Sequence, residues 1–377
     1  MSEDRRTIGV LTLLDGGKPV PDDPRRTAYF RLHREYDRTG TFNLGVESGI
    51  GSNGHTVALK PNTSYQVRMG TIALDDARDN EVIVDDEELA ERLPPATVWA
   101  EDLMNLNPER SEATFRTFPE KSSSDTFSFM LVSCHYPGLL WKKKHSDRIF
   151  GPMYDELKKK RFGSTPGLVL MVGDQIYADM FNRLIPIGLA DTFKEFQDRY
   201  HDAFGAPNIR RLLRSVSNYM ILDDHEIEDN WTQDRIAEDR QKRVLFNLAI
   251  GAYMSYQWCH GPRRFGTRLY YSFDYARFFF FVLDERTQRF KNDAPGLDDN
   301  HLLGRPSFDP INEPSQIDRL LQWLSAHKDD DRPKFIVTPT VFVPNPVVTT
   351  ISDDHKEKSD AWPAFPTTRR LLLTHID

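Results

Sequence analysis

With 377 residues and a formal net charge of −8, the chain is too long for a single compact core and too acidic for a typical nucleic-acid-binding protein, so we predict two domains. Its longest apolar run, Phe278 to Leu283, is far too short to span a membrane, and no apolar segment at the start resembles a signal peptide. Cys134 and Cys259 are too few for a disulfide scaffold, and we therefore expect a protein of the reducing cytoplasm.

The first 119 residues have the pattern of a β domain. Alternating apolar and polar residues, separated by turn sequences, predict strands at 28–32, 56–59, 64–69 and 113–118. Short alternating strands with polar turns are typical of a small all-β sandwich of the immunoglobulin or fibronectin type III kind. We therefore expect a β-sandwich domain over residues 1–119, followed by a polar, Ser-rich linker at 120–125.

From residue 126 onward, strands and helices alternate along the chain. Strands are predicted at 127–132, 167–172, 219–222, 278–283 and 334–338. Helices are predicted at 147–160, 192–217, 235–258 and 315–327, with a break in the second of them at 205–207. This alternation predicts an α/β domain over residues 126–377. The strands are apolar at nearly every position, as in parallel strands that are buried on both faces.

Two of these strands break off at clusters of carboxylates. Asp174 directly follows the strand that ends at Val172 and Gly173, and Tyr177 comes three residues later. The strand that ends at Leu222 runs into the loop 223–230, which contains five carboxylates. Ligand sites in open α/β sheets lie at the carboxyl ends of the strands. These two oxygen-rich loops therefore predict a metal site.

The residue types in these loops suggest particular roles. Asp174 could bridge two cations with its two oxygens, and Tyr177 could bind a trivalent ion as a phenolate. Asp224 or Asn230 could supply a further oxygen ligand, and His225 could donate a proton to a leaving group or contact a phosphoryl oxygen. A structural alternative remains for each loop: Asp174 could cap the next turn, and the second loop could be a solvated acidic surface.

Two further strand ends carry candidate residues. Cys134 follows the strand at 127–132 and would bind a metal if that strand neighbours the acidic loops, although a lone cysteine after a strand is more often inert. Arg286 could hold a phosphate by two parallel hydrogen bonds, or it could form a buried ion pair with Asp284. The motifs of P-loop, dinucleotide, serine hydrolase, structural zinc and zincin sites are all missing from the sequence.

Together these segments resemble the alkaline phosphatase D (PhoD-like) family of metallophosphoesterases. The matching motifs stand in the order of that family: Ser133-Cys134, Gly173-Asp174-Gln175-Ile176-Tyr177, Asp223-Asp224-His225-Glu226 with Asn230-Trp231, Leu283-Asp284-Glu285-Arg286, Gln316 with Trp323-Leu324, and Asp360-Ala361-Trp362 followed by Arg370. The resemblance implies a calcineurin-like four-layer α/β core that holds two metal ions, Fe³⁺ and Ca²⁺, and hydrolyses phosphoesters. The segments 59–65 and 115–117 are similar to the N-terminal β-sandwich of that family.

The resemblance also assigns roles to individual residues. Asp174 would bridge the two metals, and Cys134 and Tyr177 would ligate the ferric ion. Asp224 and Asn230 are the candidates for the calcium side, and His225 would lie by the phosphate. With Arg286, the residues Asp174 and His225 make up the predicted catalytic group.

The sequence departs from the family pattern at two places. His135 stands where the family usually has Gln. The family also carries a late Gly-Asp-x-His segment with two further ligands, and this sequence stops at Asp377 before such a segment. We therefore expect either that the sequence is part of a longer chain or that its metal site is incomplete.

The leading hypothesis is metal-dependent hydrolysis of phosphomonoesters, phosphodiesters or both. One alternative is a non-catalytic binding protein, in which a degenerate phosphatase fold holds one metal or none. Another is an enzyme that acts on a different metal-activated bond, such as that of a lactone. The expected partner is a phosphoester substrate, with no nucleic acid and no membrane span.

Overall fold

A computed structural model of the protein describes residues 8–20, 23–33, 36–52, 54, 56–72, 85–93, 96–123, 125–137, 143–160, 163–180, 188–262, 264–291, 300–343 and 360–376. These residues form a mixed α/β structure with one four-stranded sheet and two three-stranded sheets. Across the same residues, we find no helix with the length and apolar character that a membrane crossing requires.

The N-terminal sheet is antiparallel, and its strand order is β2-β1-β3-β4. Its strands are β1 (Ile8–Leu13), β2 (Thr27–Arg31), β3 (Ser64–Ile72) and β4 (Glu112–Arg116). The helices α1 (Asp86–Ala90), α2 (Ala96–Asn105) and α3 (Pro108–Ser111) lie between β3 and β4 in the chain. The predicted strand at 56–59 is irregular chain.

Helices cover one face of this N-terminal sheet. Leu89 of α1 and Leu103 of α2 are buried against Ile8, Val10 and Ile72 of the sheet. Among the described residues the N-terminal region therefore contains one sheet packed on helices, and the second sheet that a sandwich requires is not among them. The predicted immunoglobulin-like sandwich stays a prediction.

The described residues after the N-terminal sheet form two three-stranded sheets. The first is parallel, in the order β5-β6-β7, and consists of β5 (Met130–Val132), β6 (Leu168–Val172) and β7 (Ser217–Ile221). The second has the order β10-β9-β8 and consists of β8 (Tyr271–Tyr275), β9 (Phe278–Val282) and β10 (Lys334–Val337). In it, β8 and β9 form an antiparallel hairpin, and β10 runs parallel to β9.

Helices connect these strands, as the alternating pattern predicts. They are α4 (Lys143–Ser146), α5 (Phe150–Glu156), α6 (Phe193–Phe204), α7 (Pro207–Leu213), α8 (Arg235–Glu238), α9 (Arg240–Tyr256), α10 (Gln316–Ala326) and α11 (Pro366–Ile376). The predicted break at 205–207 is confirmed, because α6 ends at Gly205 and Pro207 opens α7. A second break was not predicted: Asp239 has extended backbone, and its side chain accepts from Gln241 N at the start of α9.

Side chains alternate between the two faces of each sheet, and this alternation organises the core. On β6, Leu168, Leu170 and Val172 share a buried cluster with Phe280 and Val282 of β9. The intervening residues of β6, Val169 and Met171, pack instead with the residues Phe150, Met153, Ile209 and Leu212 of α5 and α7. On β9, Phe281 faces the opposite way and packs with residues that include Ile317, Leu320 and Leu372 of α10 and α11.

The N-terminal sheet contacts the rest of the chain near the predicted linker. The ring centroids of Phe118 and Tyr275 lie 4.5 Å apart, and Lys121 Nζ lies 2.9 Å from Asp274 Oδ2. Thr114 N in β4 donates to Arg214 O directly after α7. The domain boundaries at 119 and 126 stay predictions.

Candidate metal centre

Because β5, β6 and β7 are parallel neighbours, their carboxyl ends lie at one edge of the sheet. The loops that follow these ends are fastened to one another by backbone hydrogen bonds. Cys134 N donates to Gly173 O at 3.2 Å, and His135 N donates to Asp174 O at 2.8 Å. Residues far apart in the sequence therefore meet at this edge.

The turn after β6 requires glycine at position 173. Gly173 has a φ of +94°, and a Cβ built on it would lie 2.2 Å from Asp223 Cβ. Glycine alone lets the two strand ends approach this closely. Three predicted ligands also have left-handed backbone, with φ values of +60° at Cys134, +57° at Asp174 and +56° at Asn230.

A buried carboxylate, Glu226, joins the two acidic loops. Its Oε2 accepts from Asp174 N at 3.0 Å and from Asp223 N at 2.9 Å. Its Oε1 accepts from Gln175 N at 2.6 Å and from Gln257 Nε2 at 2.9 Å. Burial raises the pKa of Glu226 to about 8, and repulsion by Asp174 acts in the same direction, while these hydrogen bonds oppose the rise. Glu226 thus holds both loops from beneath the edge.

The side chain of Asp174 lies at the centre of the candidate site. Its Oδ2 is 3.3 Å from Cys134 Sγ and 3.2 Å from Tyr177 OH. Ligand atoms of Asp174, Asp224 and His225 all lie within 4.8 Å of one another. Asp174 and Asp224 are each only 5% exposed. The structure therefore brings Cys134, Tyr177 and His225 around Asp174, although their roles as ligands stay predictions.

His225 is oriented by a second carboxylate. Its Nδ1 lies 2.7 Å from Asp179 Oδ1, and the other oxygen of Asp179 accepts from Asp229 N at 2.5 Å. This contact leaves Nε2 of His225 as the nitrogen available to a ligand. Burial opposes protonation of His225, but the hydrogen bond to Asp179 and the charges of Asp174 and Asp224 raise its pKa to about 9.

Arg286 comes from the other sheet, at the turn after β9, and enters the same site. Its guanidinium is 1% exposed and forms ion pairs with Asp223, with Asp224 Oδ2 at 3.5 Å and with Asp360 Oδ2 at 2.8 Å. The alternative pair with Asp284 is not formed by the guanidinium, because Asp284 accepts from the backbone N–H of Arg286 and from Thr287.

Asn230 approaches the site through its backbone. Its N–H donates to Asp224 Oδ2 at 2.6 Å, while its side-chain amide donates to Asp229 Oδ1 at 3.0 Å. The backbone contact orients Asp224.

The electrostatics of the site favour a cation. Burial raises the pKa of Asp174, and repulsion by Asp224 raises it further. Burial likewise raises the pKa of the Cys134 thiol and of the Tyr177 phenol, so both groups are protonated in the absence of a metal. A metal would have to displace those protons. Carboxylates, a thiol and a phenol around one point form a donor set that fits a metal ion.

Three residues that hold the site were not among the predicted site residues. Asp179 orients His225, Glu226 joins the loops, and Asp360 pairs with Arg286. Asp179 was recognisable as a further carboxylate in the first loop. The buried position of Glu226 depends on Gln257 at the end of α9, and no local pattern in the loop indicates that contact.

Comparison with known proteins places these features in a family. A family model described as PhoD-like phosphatase matches residues 129–377. No curated protein matches the sequence. Among solved structures, one described as a structure of PhoD matches with a TM-score of 0.57 and 16% sequence identity, covering 98% of this chain. The chain spans 62% of the length of that structure. Because the family model covers more than half of its residues, the chain belongs to the PhoD-like phosphatase family.

Proposed function

We propose that the protein hydrolyses phosphoesters with the help of metal ions bound at the Asp174 site. The observation that carries this proposal is the convergence of Cys134 Sγ and Tyr177 OH on one oxygen of Asp174, with Asp224 and His225 beside it. Membership of the PhoD-like phosphatase family supports phosphoester hydrolysis as the reaction.

The proposed cofactor is a pair of metal ions, Fe³⁺ and Ca²⁺. Cys134 and Tyr177 would hold the ferric ion, Asp224 and Asn230 would serve the calcium side, and Asp174 would bridge the two. When bound, such ions offset the charge of the phosphoryl group and lower the pKa of a bound water.

The protein side chains supply the remaining chemistry. Arg286 carries a buried guanidinium that can donate hydrogen bonds to phosphoryl oxygens. His225 is held by Asp179, and the hydrogen bond between them raises its pKa against the effect of burial, which favours the protonated imidazole. A protonated His225 can donate its Nε2 proton to the departing alkoxide oxygen.

We also propose that the core is of the calcineurin-like four-layer type, with an N-terminal β-sandwich over 1–119, a linker at 120–125 and the catalytic domain at 126–377. The four layers would be α5 with α7, the first three-stranded sheet, the second three-stranded sheet, and α10 with α11. One buried cluster lies between each pair of neighbouring layers, and these three clusters support the proposal.

The test compares the full-length protein with its Asp174→Ala variant and with Asp155→Ala, which changes an exposed aspartate on α5. We expect Asp174→Ala to lose metal, measured by elemental analysis, and to hydrolyse p-nitrophenyl phosphate and bis(p-nitrophenyl) phosphate at least about 100-fold more slowly. Asp155→Ala should match the wild type. Normal metal content and turnover in Asp174→Ala would exclude the proposal. Metal bound without hydrolysis by the wild type would favour a binding protein instead.

A further inference from the structure

A second buried arginine lies close to Arg286. Arg289 is 1% exposed, like Arg286, and both come from the turn that follows β9. Nε and Nη1 of Arg289 are buried without a hydrogen-bond partner, and the same holds for Nη1 of Arg286, as judged over the described part of the chain. Guanidinium nitrogens are strong donors, and burying them without acceptors is unfavourable.

The two arginines differ in how their charge is balanced. Arg286 has three aspartates around it, at positions 223, 224 and 360. Arg289 has no ion pair within the described residues. Burial lowers the pKa of Arg289 to about 10, and the positive charge of Arg286 lowers it further, while Asp360 and Asp224 act against this. Among the residues that the structure describes, Arg289 is therefore a cation of this site that lacks a counter-ion of its own.

The surroundings fix Arg289 in place. Its guanidinium lies over the ring of Phe365, 5.3 Å from the centroid. Its carbonyl oxygen accepts from Gln233 N at 2.8 Å, which fastens the turn to the chain just after the second acidic loop. A guanidinium held in this way is preorganised to donate hydrogen bonds to an anion.

We propose that Arg289, together with Nη1 of Arg286, binds the non-reacting oxygens of the substrate phosphoryl group. The planar array of N–H donors on a guanidinium matches the oxygens of a phosphate. This inference rests on the proposed function, because it assigns a substrate-binding residue to the same site. Arg289 provides the charge that Arg286, already paired with three carboxylates, cannot fully supply.

The experiment measures inorganic phosphate binding to the full-length, metal-loaded protein by calorimetry, alongside hydrolysis of p-nitrophenyl phosphate. The variants are Arg289→Met and Arg289→Lys. Arg369→Met is the matched control, because Arg369 also lies over an aromatic ring, Phe342, and has a buried Nε without a partner. Arg369 has no ion pair with the Asp174 site among the described residues.

We expect Arg289→Met to weaken phosphate binding and to raise KM by roughly tenfold or more, with unchanged metal content, because a charge-assisted hydrogen bond is lost. Arg289→Lys keeps the charge and loses the planar donor array, so its phosphate affinity should lie between those of Arg289→Met and the wild type. The control should bind phosphate normally. Phosphate affinity within twofold of the wild type in both Arg289 variants would overturn the inference. Phosphate binding that depends on Arg289 in a protein without turnover would support the subsite and reject the proposed hydrolysis.

Discussion

Replacing Glu226 by Gln tests whether this carboxylate holds the two acidic loops together. Each of its oxygens accepts two N–H groups, from Asp174 and Asp223 on one side and from Gln175 and Gln257 on the other. Glutamine replaces one oxygen by an NH₂ group. Whichever way the amide is turned, two buried N–H groups lose their acceptor and face another donor.

The expected loss follows from these two orphaned donors. A buried donor without an acceptor costs about 1–3 kcal/mol, so the free energy of unfolding should fall by about 2–6 kcal/mol. Removing the charge of Glu226 also relieves its repulsion with Asp174, which favours the lower part of that range. A total stability of about 5–15 kcal/mol for a folded protein makes this loss large enough to measure.

The assay is urea-induced unfolding followed by circular dichroism at about pH 9, where Glu226, with a pKa of about 8, is mostly ionised. Chelator is present so that metal binding does not contribute. The matched control is Glu156→Gln, because Glu156 makes a surface ion pair with Lys159 at 2.9 Å that should contribute at most about 1 kcal/mol. A loss below about 0.5 kcal/mol for Glu226→Gln, a typical surface value, would show that the four hydrogen bonds do not hold the loops as described.

Two further predictions concern the same edge of the sheet. Gly173→Ala should lower the free energy of unfolding by about 2–4 kcal/mol and reduce the metal content, because the new methyl group would lie 2.2 Å from Asp223 Cβ on a backbone with φ +94°. Urea unfolding would measure the first effect and elemental analysis the second. A variant with wild-type metal content would contradict the reasoning. Burial lowers the pKa of His135 from 6.5 to about 4, so the unfolded chain takes up a proton in this range while the folded chain does not. His135 should therefore contribute a loss of about 3 kcal/mol of stability to the metal-free protein as pH falls from 6.5 to 4. Urea unfolding of the wild type and of His135→Gln at a series of pH values measures this contribution as the difference between the two slopes, and equal slopes would refute this account.

The strands and helices of the α/β region could be predicted because their local signals are strong. Buried parallel strands have continuous apolar runs, and Gly205 with Pro207 marks the end of one helix and the start of the next. The interruption at Asp239 was missed because an aspartate is tolerated inside a helix and acts as a cap only when the preceding backbone turns away. Helices packed on the N-terminal sheet could not be predicted from strand alternation alone.

The meeting of Cys134, Asp174 and Asp224 could be predicted from the sequence, because parallel neighbouring strands deliver their carboxyl ends to a single edge. The partners of Arg286 could not be predicted in this way. Its pairing with Asp223 depends on how two separate sheets face each other, which is decided by side-chain packing between Val172 and Val282 and their neighbours. The local sequence around Arg286 does not indicate how far apart the two sheets lie.

The left-handed backbone at Cys134, Asp174 and Asn230 has a consequence for how this site changes over evolution. Each of these residues adopts a left-handed backbone conformation, which costs about 1 kcal/mol for a residue that has a Cβ, and glycine would relieve that strain. Selection for stability alone would thus favour glycine at all three positions. If the proposed metal site were lost in a descendant, we would expect glycines at these positions, whereas side chains kept there would indicate that the site is still in use.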